Sequence, residues 1–254
     1  MRLVIKVGTS TLAHATGKLN IRLTSELCRV ISDLKNAGNE VVLVSSGAIG
    51  MGVGKLGLSE KPADIPTKQA AAAVGQCELM YTYDRLFNEY NHTVAQILLT
   101  GSDFTANDRH ENFNNTIRRL LDLGALPIIN ENDTIATEEI KVGDNDTLSA
   151  LVAVSVKADL LVILSDVNGL YSADPHKDKN ATLIKEVRTL DEQTLALAGG
   201  AGSSLGTGGM KTKLSAAKIC TNGGCDMIIA NGENPEILYE IVEGKNSGYT
   251  RFFA

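Results

Sequence analysis

The chain has 254 residues, a formal charge of −6, 43% hydrophobic residues, 4% aromatic residues and no tryptophan. Such a length and apolar share suffice for one large domain or two small ones, and an acidic balance without a long basic run argues against a nucleic-acid surface. No apolar run approaches the roughly 20 residues that span a bilayer, and the opening MRLVIKVGTS lacks the length and cleavage site of a signal peptide, so a cytoplasmic protein is expected.

In chain order, RLVIKVG (2–8) is predicted to be a strand with Lys6 inside it. An unpaired buried ammonium is costly, so Lys6 either reaches the surface or meets an anion. Residues 22–37 place Leu23, Leu27, Val30, Ile31 and Leu34 on one helical face, with Gly38 as the residue that ends the helix. EVVLVSS (40–46) is a strand, followed by SSGAIGMGVG, taken as a glycine-rich loop. A helix is predicted over 66–90, with Pro66 in its first turn. TVAQILL (93–99) and LPIIN (126–130) are strands flanking a helix over 108–123. TIATEEIK suggests a hairpin flap, with Ile135, Thr137 and Ile140 alternating and Glu138 and Glu139 exposed. A helix over 146–157, the strand DLLVILSD (159–166), a helix over 209–221 and the strand DMIIANG (226–232) complete the series.

This βα alternation implies a mainly parallel sheet with helices on both faces, and the aliphatic composition suits such a core. No linker divides the chain, so a single domain is expected. Cys28, Cys77, Cys220 and Cys225 fit no zinc or thioredoxin spacing and are expected to be small core residues in a reducing compartment.

In open α/β sheets ligands sit beyond the carboxyl ends of the strands. Glycine and small hydroxyl residues recur there: KVGTS, SSGAIGMGVG, SDVNGLYSADP and, before a helix, GTGGMKTK. Glycine allows close backbone approach and free N–H donors, which suits phosphate. A G-x-x-x-x-G-K-[ST] loop is absent, since Met210 precedes Lys211-Thr212 and Leu205 stands at the first glycine position. Gly52, Gly54 and Gly57 match G-x-G-x-x-G, but they start about six residues past the strand. No acid ending a second strand follows at the required distance, so a dinucleotide site is rejected.

The pieces IKVGTS, SSGAIGMG, INENDT, EIKVGDNDTLSA, LSDVNGLYSADP and GTGGMKTK, in this order from the first strand to the last helix, resemble the amino acid kinase family, and within it the members that phosphorylate glutamate. VGDNDTLSA together with GTGGMKTK is the specific part. The resemblance implies an αβα three-layer sandwich around a mainly parallel sheet of about eight strands. It also implies transfer of the γ-phosphoryl group of ATP, with Mg²⁺, to the side-chain carboxylate of L-glutamate, the first step of proline biosynthesis. Many bacterial members continue into a C-terminal PUA domain. GYTRFFA stands where the kinase domain should end, so one kinase domain over 1–254 without a PUA domain is expected.

By the same resemblance Lys6 and Lys213 neutralise the transferring phosphoryl group and Asp146 holds the two ammonium groups, although Asp146 also suits a helix N-cap. Gly8, Thr9 and Ser10 face the phosphates. Ser165, Asp166, Thr207, Gly208, Gly209, Met210, Lys211, Thr212 and Lys213 take the nucleotide, while Tyr171 and Pro175 either border it or pack. Ser46, Asp133 and Asn145 take the amino acid, and Asp144 helps shape that site. The family further implies proline as feedback inhibitor, assembly into a dimer or tetramer, and hand-off of product to glutamyl phosphate reductase; no nucleic acid, membrane or identifiable Mg²⁺ ligand enters. A carboxylate acceptor is ionised at neutral pH and needs no general base, which suits a chain with four histidines. The alternatives are a sibling carbamate, acetylglutamate or isopentenyl phosphate kinase, and a sensor of amino acids or nucleotides without turnover.

Overall fold

The computed structural model describes residues 1–14, 18–60, 62–136, 142–173, 175, 178, 180–197, 209–245 and 248–254. Five strands, β1 (Arg2–Val7), β2 (Glu40–Ser45), β3 (Val94–Leu99), β4 (Leu126–Glu131) and β5 (Leu160–Ser165), lie where hydrophobic runs end in small polar residues. With β6 (Glu186–Val187), β7 (Asp226–Asn231) and β8 (Thr250–Phe252) they form one sheet ordered β3-β4-β2-β1-β5-β7-β8-β6. Every pairing is parallel except β7 with β8.

Side chains alternate across the strands, and the alternation builds two cores. Leu3, Ile5 and Val7 of β1 and Val162 and Leu164 of β5 face one side. There they meet α2 (Ile21–Asn36), α4 (Ile65–Asn88) and α10 (Ile237–Val242) through residues such as Leu27, Ile31, Leu79, Phe87 and Leu238. Val4, Val44 and Ile163 face the other side. They pack on α6 (Asn107–Asp122), α7 (Asn145–Ser155) and α9 (Met210–Asn222) through Ile117, Val152 and Ala217. The result is a three-layer αβα sandwich on a mainly parallel eight-stranded sheet. Lys6 shares the parity of Val4, so its side chain leaves β1 toward the layer of α7 and α9.

The helix starts follow ordinary capping chemistry. The Asn20 and Asp64 side chains accept hydrogen bonds from the amides of Leu23 and Thr67, and Pro66 sits in the first turn of α4. Asp144 caps α7, with its Oδ1 2.7 Å from the Thr147 amide. The capping role offered by sequence to Asp146 therefore belongs to Asp144, and the Asp146 carboxylate is left for other partners. Short elements complete the chain: α1 (Thr9–Leu12), α5 (Ser102–Thr105) and α8 (Glu192–Ala196). No helix of the described residues is long and apolar enough to cross a membrane.

Three expectations need correction or fall outside view. SSGAIGMGVG is not a loop; residues 48–56 form the helix α3 (Ala48–Leu56). It forms because it crosses α4 at backbone contact. A Cβ on Gly52 would lie 1.8 Å from the Ala71 carbonyl oxygen, and one on Gly75 would lie 1.7 Å from that of Ala48. Gly57 closes α3 in the left-handed region at φ 66°, where glycine alone carries no steric cost. The three glycines that imitate a dinucleotide fingerprint thus lie within a helix or at its end. Cys28, Cys220 and Cys225 are buried as expected, but Cys77 is exposed on α4. The flap suggested by Thr137, Glu138, Glu139 and Ile140 lies outside the described residues.

Candidate active site

At the carboxyl ends of β1, β2, β4 and β5, two clusters meet on the first turn of α7. The first is charged. Lys6 from β1 and Lys213 from the first turn of α9 both approach Asp146. Lys6 Nζ stands 2.7 Å from Oδ1 and Lys213 Nζ stands 3.2 Å from Oδ2. The Thr212 hydroxyl is 2.8 Å from the same Oδ2 and equally close to the Gly209 carbonyl oxygen, so its single proton serves one of the two at a time. Asp146 is 1% exposed and the two lysines 8% and 5%. The Lys6 contact is a close ion pair in the buried site.

Burial alone would raise the pKa of Asp146. The charges of Lys6 and Lys213 and the hydrogen bonds from Lys6 and Thr212 outweigh it and hold the carboxyl below its ordinary value of 3.8. Two ammonium groups and one carboxylate leave the cluster with a net charge of +1. A buried excess positive charge is stable only with an anion in reach, and a phosphoryl group matches that demand.

The second cluster is built around neutral amides and hydroxyls. Asn145 Nδ2 lies 2.7 Å from Ser46 Oγ, 3.0 Å from Asn130 Oδ1 and 3.2 Å from the Ser45 carbonyl oxygen. Asn130 Oδ1 also accepts the Glu131 amide, and Asn130 Nδ2 donates to Gln76 Oε1 of α4 at 3.0 Å. Below it Ser45 Oγ and Tyr83 OH are 2.8 Å apart, and burial pushes the Tyr83 hydroxyl pKa up. Glu131, at the end of β4, accepts the Val142 amide at 2.6 Å and so ties β4 to the residues leading into α7.

Of the residues singled out in the sequence, Lys6, Asp146, Thr212 and Lys213 converge, and Ser46 and Asn145 touch. Gly8 caps α1 at the end of β1, next to the partly buried Thr9. Nothing is described of the Ser10 side chain. Ser165 ends β5 and donates to Asp166 Oδ1 at 3.0 Å. Gly209 and Met210 open α9, and Lys211 there is exposed. Asp133 lies in the turn after β4, partly buried. Tyr171 OH accepts from Asn168 Nδ2 at 3.3 Å, and Pro175 is exposed. Thr207 and Gly208 lie outside the described residues. Sequence reasoning missed Gln76 and gave Asn130 no role of its own. The available signal was a polar side chain on an apolar helical face: Gln76 falls in the series Ala72, Gln76, Leu79, Tyr83, all buried.

No group of three or more His, Cys, Asp or Glu able to hold a metal occurs among the described residues.

A sequence model of the amino acid kinase family matches residues 1–231. Among curated proteins, the glutamate 5-kinase of Clostridium acetobutylicum is 56% identical over 247 residues, covering 97% of this chain and 92% of that protein. That of Caldanaerobacter subterraneus subsp. tengcongensis is 53% identical over 250 residues, covering 98% of this chain and 67% of that protein. Solved structures with the same fold include the T. acidophilum isopentenyl phosphate kinase, with TM-score 0.67, 17% identity, and coverage of 99% of this chain and 100% of that one. UMP kinase from Ureaplasma parvum superposes with TM-score 0.67 at 17% identity, covering 100% of this chain and 98% of that one.

Proposed function

Because the chain belongs to the amino acid kinase family, we propose that it transfers the γ-phosphoryl group of ATP to the side-chain carboxylate of L-glutamate. The observation that carries this reading is Asp146 held between Lys6 and Lys213 at 2.7 and 3.2 Å, one residue from Asn145 in the amide cluster. The likeness to glutamate 5-kinases selects the acceptor.

In the step, a carboxylate oxygen of glutamate bonds to the γ-phosphorus as the bond from phosphorus to the β,γ-bridging oxygen breaks. ADP and glutamyl 5-phosphate form, and no proton moves. Two unit charges about 4 Å apart repel by about 4 kcal/mol at an effective dielectric of 20. Positioning and charge neutralisation therefore carry the catalysis. Lys6 and Lys213 supply the neutralisation, and Asp146 keeps their ammonium groups from separating. Gly8, Thr9, Ser165, Asp166 and residues 207–213 are read as the nucleotide side, and Ser46, Asp133 and Asn145 as the amino acid side. Mg²⁺ would enter with the nucleotide and supply further charge neutralisation at its phosphates, alongside Lys6 and Lys213.

Residues 1–254 are read as one kinase domain. Proline inhibition, a dimer or tetramer, and hand-off to glutamyl phosphate reductase follow as proposals on family grounds. The central test traps the acyl phosphate with hydroxylamine. Hydroxamate should appear with ATP, Mg²⁺ and L-glutamate together. Product with N-acetylglutamate or carbamate, and none with glutamate, would move the assignment to a sibling kinase.

A further inference from the structure

We propose that Gln76, on a helix outside the loops that form the site, is a positioning residue that sets the affinity for the amino acid; this rests on the reading of Asn145 as an amino acid ligand. Gln76 is 7% exposed and its Oε1 accepts Asn130 Nδ2 at 3.0 Å. Asn130 in turn presents Oδ1 to Asn145 Nδ2 at 3.0 Å and to the Glu131 amide at 2.9 Å. Because a backbone N–H can only donate, Asn130 Oδ1 must be the acceptor and its Nδ2 must face Gln76. Asn145 Nδ2 faces a carbonyl oxygen at Ser45, so the amide nitrogen of Asn145 is turned into the protein. Its Oδ1 is left to accept a donor such as the α-ammonium of an amino acid.

The relay from α4 to α7 thus fixes which atom of Asn145 meets the ligand. It also leaves a cost behind: Gln76 Nε2 is buried with no partner among the described residues. An unsatisfied buried donor destabilises a protein, and such a group in a folded structure calls for a reason other than stability. Holding Asn130 is that reason. An apolar side chain of equal length would remove the orphan at Gln76 and create one at Asn130, so the count of unsatisfied groups would not change. The hydrogen bond that steadies the relay would be lost.

The test compares wild type, Gln76→Met and Gln76→Glu in steady-state kinetics and thermal unfolding. For Gln76→Met we expect KM for L-glutamate to rise about fivefold, matching the loss of one neutral hydrogen bond. Its kcat and KM for ATP should stay within twofold, and Tm within a few degrees. Gln76→Glu keeps the acceptor oxygen and should recover most of the lost affinity. An unchanged KM for glutamate in Gln76→Met, or a rise in KM for ATP of equal size, overturns the inference. A fall in Tm with KM intact assigns Gln76 to packing and also overturns it. Wild-type protein without glutamate-dependent hydroxamate would instead refute the functional reading beneath it.

Discussion

The two clusters at the sheet edge differ in kind although they share one helix. Around Asp146 three of the four functional groups, Lys6, Lys213 and Asp146 itself, carry charge, and all three are buried, with the Thr212 hydroxyl as the neutral fourth. Around Asn145 the contacts are an amide, a hydroxyl and a backbone carbonyl, all neutral. Charge in a site of low dielectric acts strongly on any anion and discriminates little by shape. Neutral amides interact weakly but impose direction and a donor or acceptor identity. On the proposed reading, the first cluster sets the rate and the second the choice of acceptor.

The sharpest way to break that division is Lys213→Ala. We expect kcat to fall about a thousandfold, as for loss of one preorganised group that stabilises developing charge, with KM for glutamate within a few fold. A loss confined to KM for glutamate would erase the distinction. Next in size is Asp146→Asn, which leaves two buried ammonium groups without their counter-ion. Breaking such a pair costs about 3–5 kcal/mol, measurable by urea unfolding at neutral pH, and bound ATP should restore part of it by supplying negative charge. The pH dependence sharpens the point. The folded pKa of Asp146 is depressed below 3.8. Its contribution to stability is therefore complete above the ordinary carboxylate value and lost as pH falls through the folded value. Asp146→Asn should flatten that acid limb; an unchanged limb would show that the ion pairs contribute nothing. Asn145→Ala tests the neutral side. KM for glutamate should rise ten- to a hundredfold, the worth of a hydrogen bond to a charged group, with kcat changed less. An equal fall in kcat and kcat/KM would place Asn145 with the charged cluster. The fivefold effect expected at Gln76 is the smallest.

Much of this layout was legible in the sequence because it depends on local chemistry. The apolar runs of β1, β2, β4, β5 and β7 end in small polar residues, and an alternation of strands and helices leaves few parallel topologies. Lys6 stood out as a charge within an apolar strand. What stayed hidden depends on partners distant in the chain. No local pattern marks α3 as helical, since its glycines lower propensity; its contact with α4 at Gly52 and Gly75 overrides that. β8 is three residues long and takes its place only by pairing with β6 and β7. Asp146 suits a cap by residue type, and only the folded arrangement shows that Asp144 is the carboxylate that meets the Thr147 amide.

Asn145 and Asp146 are consecutive, and successive residues of a helix point about 100° apart while their Cα atoms stand 3.8 Å from one another. The first therefore looks toward β2 and β4 and the second toward β1 and α9. On the proposed assignment, a single peptide bond sets the spacing between the side for the receiving molecule and the side for the donor. On that assignment the spacing is set by covalent geometry within one turn of α7. Lengthening this turn by one residue would swing one pocket away from the other, and a protein that still bound both ligands separately would have lost the alignment between them.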